Sequence, residues 1–153
     1  MKSESMIIET GNPFNESMET SLPLVLKRIK QFEKKGTDQY APVSIFFLRN
    51  FTIEGITPYL KYHCLRSKIS PHWTLGGYDT IASDVLSEDF SNNDPEIIVL
   101  SLRLEQFEPD YEISSWSSDE TFERLSVLIA TVQTQSDAIL ILNTFPRPLY
   151  SAS

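Results

Sequence analysis

Val43-Ser44-Ile45-Phe46-Phe47-Leu48 decides the architecture. The run is almost continuously apolar, rich in β-branched and aromatic side chains, and follows Pro42. It is short, so it reads as a strand buried on both faces, as in a parallel sheet. Three more strands follow. Pro71-His72-Trp73-Thr74-Leu75 is weaker and is ended by Gly76-Gly77. Glu96 to Leu102 has the core Ile97-Ile98-Val99-Leu100. Ala138-Ile139-Leu140-Ile141-Leu142 is halted by Asn143-Thr144-Phe145-Pro146-Arg147-Pro148.

Helical patterns lie before and between these strands. Leu22, Val25, Leu26, Ile29 and Phe32 make one apolar stripe, with Pro23 early and Gly36 closing it. Lys27, Arg28, Lys30, Lys34 and Lys35 crowd the latter part, where cations suit the negative end of the helix dipole. Thr57-Pro58 reads as N-cap and first position of a helix to about Lys68, carrying Tyr59, Leu60, Tyr62, His63 and Cys64. Asp79 or Thr80 caps a short helix containing Ile81, Val85 and Leu86. Ser117 and Glu120 match a capping box ahead of Phe122, Leu125, Leu128, Ile129 and Val132. Helices alternating with apolar strands predict right-handed βαβ crossovers. The fold class is three-layer α/β, with a flavodoxin-like parallel sheet of four to five strands and helices on both faces.

The chain has 153 residues, a formal net charge of −8, 41% apolar and 22% charged residues. That describes an ordinary globular chain of one domain. Residues 1–19 read as a flexible leader and residues 20–153 as the domain. The acidic balance argues against a nucleic-acid partner, which needs Lys and Arg to release counterions. Cys64 is the lone cysteine, so neither an internal disulfide nor a Cys-based zinc cluster can form. There is no signal-peptide core, and no apolar run is long enough to span a bilayer. A cytoplasmic protein without a membrane partner is expected.

Sites in open parallel sheets form beyond the carboxyl ends of the strands. Four loops qualify: residues 49–56, 75–79, 103–118 and 143–148. Asn50 offers an amide donor and acceptor and Thr52 a hydroxyl; either can equally cap local backbone. Gly76 and Gly77 can present a backbone N–H to a ligand or form a tight turn. Asn143 ends the last strand. His63 and His72 have no partners at metal-ligand spacing, so neither a metal site nor a cofactor is expected. Residues 84–120 hold 11 acids, Asp110 and Glu112 among them, against one base, Arg103. Solvated surface and partner-binding surface are both consistent with that.

Taken in order, these segments carry a family signal. A strand ends in Asn50-Phe51-Thr52-Ile53-Glu54-Gly55-Ile56 and is followed by a helix. Then come Leu75-Gly76-Gly77-Tyr78, the strand Pro95-Glu96-Ile97-Ile98-Val99-Leu100, and the strand ending Asn143-Thr144-Phe145-Pro146-Arg147-Pro148. Over about residues 20–150 the combination resembles the N-terminal SGNH-hydrolase-like domain of FkbH-like proteins. The resemblance implies a neighbouring haloacid-dehalogenase-like catalytic domain. It also implies a system that transfers a glyceryl or related acyl unit to an acyl carrier protein. By the same resemblance Asn50 and Thr52 fall at the first SGNH block, Gly76 or Gly77 near the second, and Asn143 near the third. The first block here lacks Gly-Asp-Ser, and no Asp-x-x-His block or Asp-x-Asp phosphotransfer motif is present. The resemblance further implies a strand and helix beyond residue 150, so the domain normally continues.

Three functions compete. The first is an accessory domain of such a system, which partners an acyl carrier protein or the catalytic domain. The second is an SGNH-type esterase or acyltransferase with Thr52 as nucleophile and Asn50, Gly77 and Asn143 as oxyanion donors. The third is an interaction module that forms a homo-oligomer through an open sheet edge.

Overall fold

Strand β1 (Ala41–Arg49) contains the deciding run and is paired on both sides in the computed structural model, which describes residues 21–108 and 116–145. Its neighbours are β2 (Ile69–Tyr78) and β3 (Ile97–Ser101), and β4 (Ile139–Leu142) extends the sheet beyond β3. All pairings are parallel, in the order β2-β1-β3-β4. Helices lie on both sides of the sheet, so the α/β class expected from the sequence holds, with four strands among the described residues.

Period-two alternation sends Phe46 and Leu48 to one face and Phe47 to the other. Phe46, Leu48, Ile98 and Leu100 form a core with Ile81, Val85, Phe90 and Val132. Phe46 meets Phe90 edge-on with centroids 5.1 Å apart. Each large apolar side chain buried there contributes roughly 1.5–3 kcal/mol. This core is roofed by α3 (Ile81–Val85), α4 (Glu88–Asn93) and α6 (Ser118–Gln135). A second cluster joins α1 (Leu22–Lys35) to α2 (Thr57–Arg66) through Val25, Ile29, Tyr62 and Leu65. Because parallel crossovers are right-handed, α2 takes the face opposite α3, α4 and α6.

Several local expectations change. Strand β2 does not stop at Gly76-Gly77 but runs through them to Tyr78. Phe47 pairs with Leu75 and Arg49 with Tyr78, so β2 carries one extra residue at a glycine bulge. Thr57 is inside α2 rather than its cap; its hydroxyl donates to the Glu54 carbonyl at 2.9 Å. One short helix after β2 becomes two, because Ser87 caps a fresh turn by accepting from Phe90 N–H. In α6, Ser117 caps as expected, accepting from Glu120 N–H at 3.4 Å. Phe122, however, is 71% exposed, and Thr121 takes the buried place. Thr121 can do so because its hydroxyl is satisfied, donating to Ser117 C=O and accepting from Trp116 Nε1.

The leader, Asp110, Glu112 and the 146–148 segment lie outside the described residues. Among the described residues no helix is long and apolar enough to cross a membrane.

Candidate functional site at the carboxyl edge of the sheet

In a sheet ordered 2-1-3-4 the crevice opens between β1 and β3, where the chain reverses its direction of winding. Here that crevice is bridged. Asn50, 1% exposed, accepts from Arg103 N–H at 2.7 Å and donates through Nδ2 to Arg103 C=O at 3.0 Å. Its own N–H donates to Ser101 C=O at 3.2 Å. The side chain therefore extends the β1–β3 ladder past the strand end. The Arg103 guanidinium lies over the Phe51 ring, 5.2 Å from its centroid.

The next strand end repeats the device. Asn143 Oδ1 accepts from Leu102 N–H at 2.7 Å, and its Nδ2 donates to Leu102 C=O at 2.9 Å. A second Nδ2 contact, 3.1 Å, reaches Thr144 C=O. Both donor hydrogens of Asn143 are thus engaged. From the short helix α5 (Leu104–Phe107), Gln106 Nε2 donates to the Tyr78 hydroxyl at 2.6 Å, which ties the segment to β2. Residues 102–106 are consequently stitched to the ends of all three other strands.

Gly76 and Gly77 are set by packing. A side chain at Gly76 would place its Cβ 2.9 Å from Phe47 O and 2.7 Å from Asp84 Oδ2. At Gly77 it would strike the Thr80 hydroxyl. Thr80 Oγ1 in turn donates to Asp84 Oδ2 at 3.0 Å. Arg49 Nε donates to Gly76 C=O at 3.0 Å and its Nη1 pairs with Glu54 at 2.7 Å. The Glu54 backbone N–H, and then the Arg49 guanidinium, hold the Glu54 carboxyl below the usual carboxylate range. Thr52 is exposed in the loop after β1.

The structure gathers Asn50, Thr52, Gly76, Gly77 and Asn143 at one edge of the sheet, but neither histidine. His72 pairs with Ser44 near the opposite end of the strands, and His63 is exposed on the second turn of α2. Among the described residues no cluster of His, Cys, Asp or Glu is placed to hold a metal ion. A cleft of about 540 Å³ lies at the other end of the sheet, lined partly by Asp94, Glu96 and Asp137. At the carboxyl edge Glu108 is 7% exposed and pairs through Oε2 with Arg124 at 2.8 Å, while its Oε1 has no partner.

Sequence reasoning missed Arg103, Gln106 and Tyr78. Arg103 was visible only as the one base in an acidic stretch. Nothing in the pattern shows that its backbone, not its charge, is what Asn50 holds.

The arrangement defines a doubly wound α/β domain whose switch-point crevice is occupied by its own chain. No family model matches the sequence, and no curated protein matches it. Among solved structures the fold is similar to the N-terminal part of the protein BF1531 from Bacteroides fragilis, described as containing a phosphatase domain complexed with Mg. The TM-score is 0.66 at 11% identity, and the match covers 80% of this chain and 33% of that one. At that identity the likeness shows the fold alone. The chain spans about a third of that structure's length.

Proposed function

We propose that this chain is the accessory SGNH-like domain of an FkbH-type system, in which a glyceryl or related acyl unit is loaded onto an acyl carrier protein. In this reading the phosphotransfer chemistry belongs to a haloacid-dehalogenase-like catalytic partner, and this domain supplies a rigid platform. One observation carries it. The two strand-end asparagines spend their side chains on Leu102 and Arg103 backbone, so the edge is built to hold a loop rather than a reacting oxyanion. The similar fold within a protein described as containing a phosphatase domain supports the partnership.

The test is a loading assay followed by intact mass. A holo carrier protein, a phosphorylated three-carbon donor and the dehalogenase-like domain are incubated with and without this chain. The reading predicts faster loading in its presence, and unchanged loading when Thr52→Ala replaces the wild type. Loading indifferent to the chain overturns the reading.

A further inference from the structure

Among the described residues, charge is divided between the two helical layers. Residues 21–68 carry nine Lys and Arg against three Asp and Glu, a balance of +6. The described residues from 69 to 145 carry two against twelve, a balance of −10. The basic part includes α1 and α2; the acidic part includes α3, α4 and α6 across the sheet.

Within the basic layer, α1 carries a stripe of cations on its outer side. Val25 and Ile29 face inward on α1, so by the 3.6-residue period Lys27 and Lys34 point away from them and Lys30 lies on the flank beside that pair. Arg49 and Lys61 are neutralised by Glu54 and Glu33, whereas Lys27, Lys30 and Lys34 have no carboxylate partner among the described residues. They line, with Pro23, Leu26 and Gln31, a shallow groove of about 420 Å³. Leu26 is 43% exposed beside it. A row of cations spaced by turns beside an exposed leucine matches a helix that presents carboxylates next to an apolar seam.

We infer that the outer face of α1 is a docking surface for an acidic helix of a partner protein, held by Lys27, Lys30 and Lys34 and seated against Leu26. The acidic layer argues for that occupant over a larger polyanion. A duplex or a bilayer spreads negative charge over an area wide enough to feel the repulsion of the whole −8 molecule, whereas one helix meets only the basic face. The surface rests on the charge geometry; the choice of a carrier protein as first probe rests on the function proposed above.

The experiment is an NMR titration of the labelled protein with a holo acyl carrier protein, and separately with a glutamate-rich amphipathic helical peptide. Each is run at about 20 mM and about 500 mM salt. The inference predicts shifts confined to α1 and affinity at least about tenfold weaker at high salt. The triple variant Lys27→Glu, Lys30→Glu, Lys34→Glu abolishes the shifts, and Lys68→Glu keeps them. Circular dichroism confirms that the triple variant folds. If the peptide binds this face and the carrier protein does not, the surface stands and the function proposed above loses its partner. Binding of both probes elsewhere, binding indifferent to the triple substitution, or no binding of either overturns the inference. So does lysine-dependent binding of phosphatidylglycerol vesicles or a short DNA duplex in place of both probes.

Discussion

Asn50 and Asn143 grip adjacent residues of a single backbone: Asn50 pairs with both polar groups of Arg103, and Asn143 with both of Leu102. The two amides approach from strands on either side of β3 and continue its ladder for two residues after the strand itself has ended. The β3–α5 connection is thereby held without regular secondary structure, in the place where an open α/β sheet otherwise admits a ligand.

Removing either amide leaves the N–H and C=O of one residue unpaired. Asn50→Ala is expected to cost about 2–4 kcal/mol, because the site is almost fully buried, and Asn143→Ala about 1–2 kcal/mol at its more open position. The two losses should be non-additive by more than about 0.5 kcal/mol, since both amides position the same segment. Urea denaturation of the two single variants and the double variant measures this. Strict additivity would mean that the clamps act independently.

The glycine bulge makes a steric prediction. Gly76→Ala forces a methyl against Phe47 carbonyl oxygen and Asp84, and should cost about 2 kcal/mol. Gly55→Ala meets nothing within 4 Å and should change stability by less than about 0.5 kcal/mol. Thermal midpoints of the two variants check the contrast.

Glu54 gives the acid limb. Its carboxyl is held below the ordinary value, so its contribution is fully present above the unfolded pKa and is lost as pH falls through the folded one. Glu54→Gln should therefore flatten the decline in urea midpoint between about pH 6 and pH 3 relative to wild type. The effect is modest, because the group is exposed. A steeper decline in the variant would contradict the assignment.

Burial raises the Cys64 thiol above its ordinary pKa, which lowers the thiolate fraction. Ellman's reagent at about pH 8 should react at least about fivefold more slowly with the folded protein than with the protein in urea. Equal rates would show that Cys64 is open to solvent and unshifted.

The central strands were legible because the segments that pair on both sides are almost wholly apolar. The run at residues 43–48, with Ser44 its one polar position, and the core at 97–100 read directly as strands. The α1 stripe read well at Val25 and Ile29, but Leu22 and Leu26 remain 42% and 43% exposed, since α1 packs on α2 along a narrow seam. Phe122 misled because hydrophobicity alone decided its face, whereas a hydroxyl with two partners let Thr121 be buried instead. The clustering of Asn50, Thr52, Gly76, Gly77 and Asn143 followed from topology and was foreseeable. What their side chains hold was not, because a backbone target leaves no mark on residue type. The bulge at Gly76-Gly77 looked like a strand end for a related reason: a glycine pair permits a turn and a bulge equally.

Asn50 and Asn143 hold this edge's own backbone, and we propose that they do so in place of a reacting acyl group. The decisive measurement is steady-state hydrolysis of a p-nitrophenyl ester by the wild type, Thr52→Ala and Asn50→Ala. No rate above buffer is expected for any of the three. A saturable wild-type rate that Thr52→Ala abolishes, with the fold intact, would contradict it and establish Thr52 as a nucleophile.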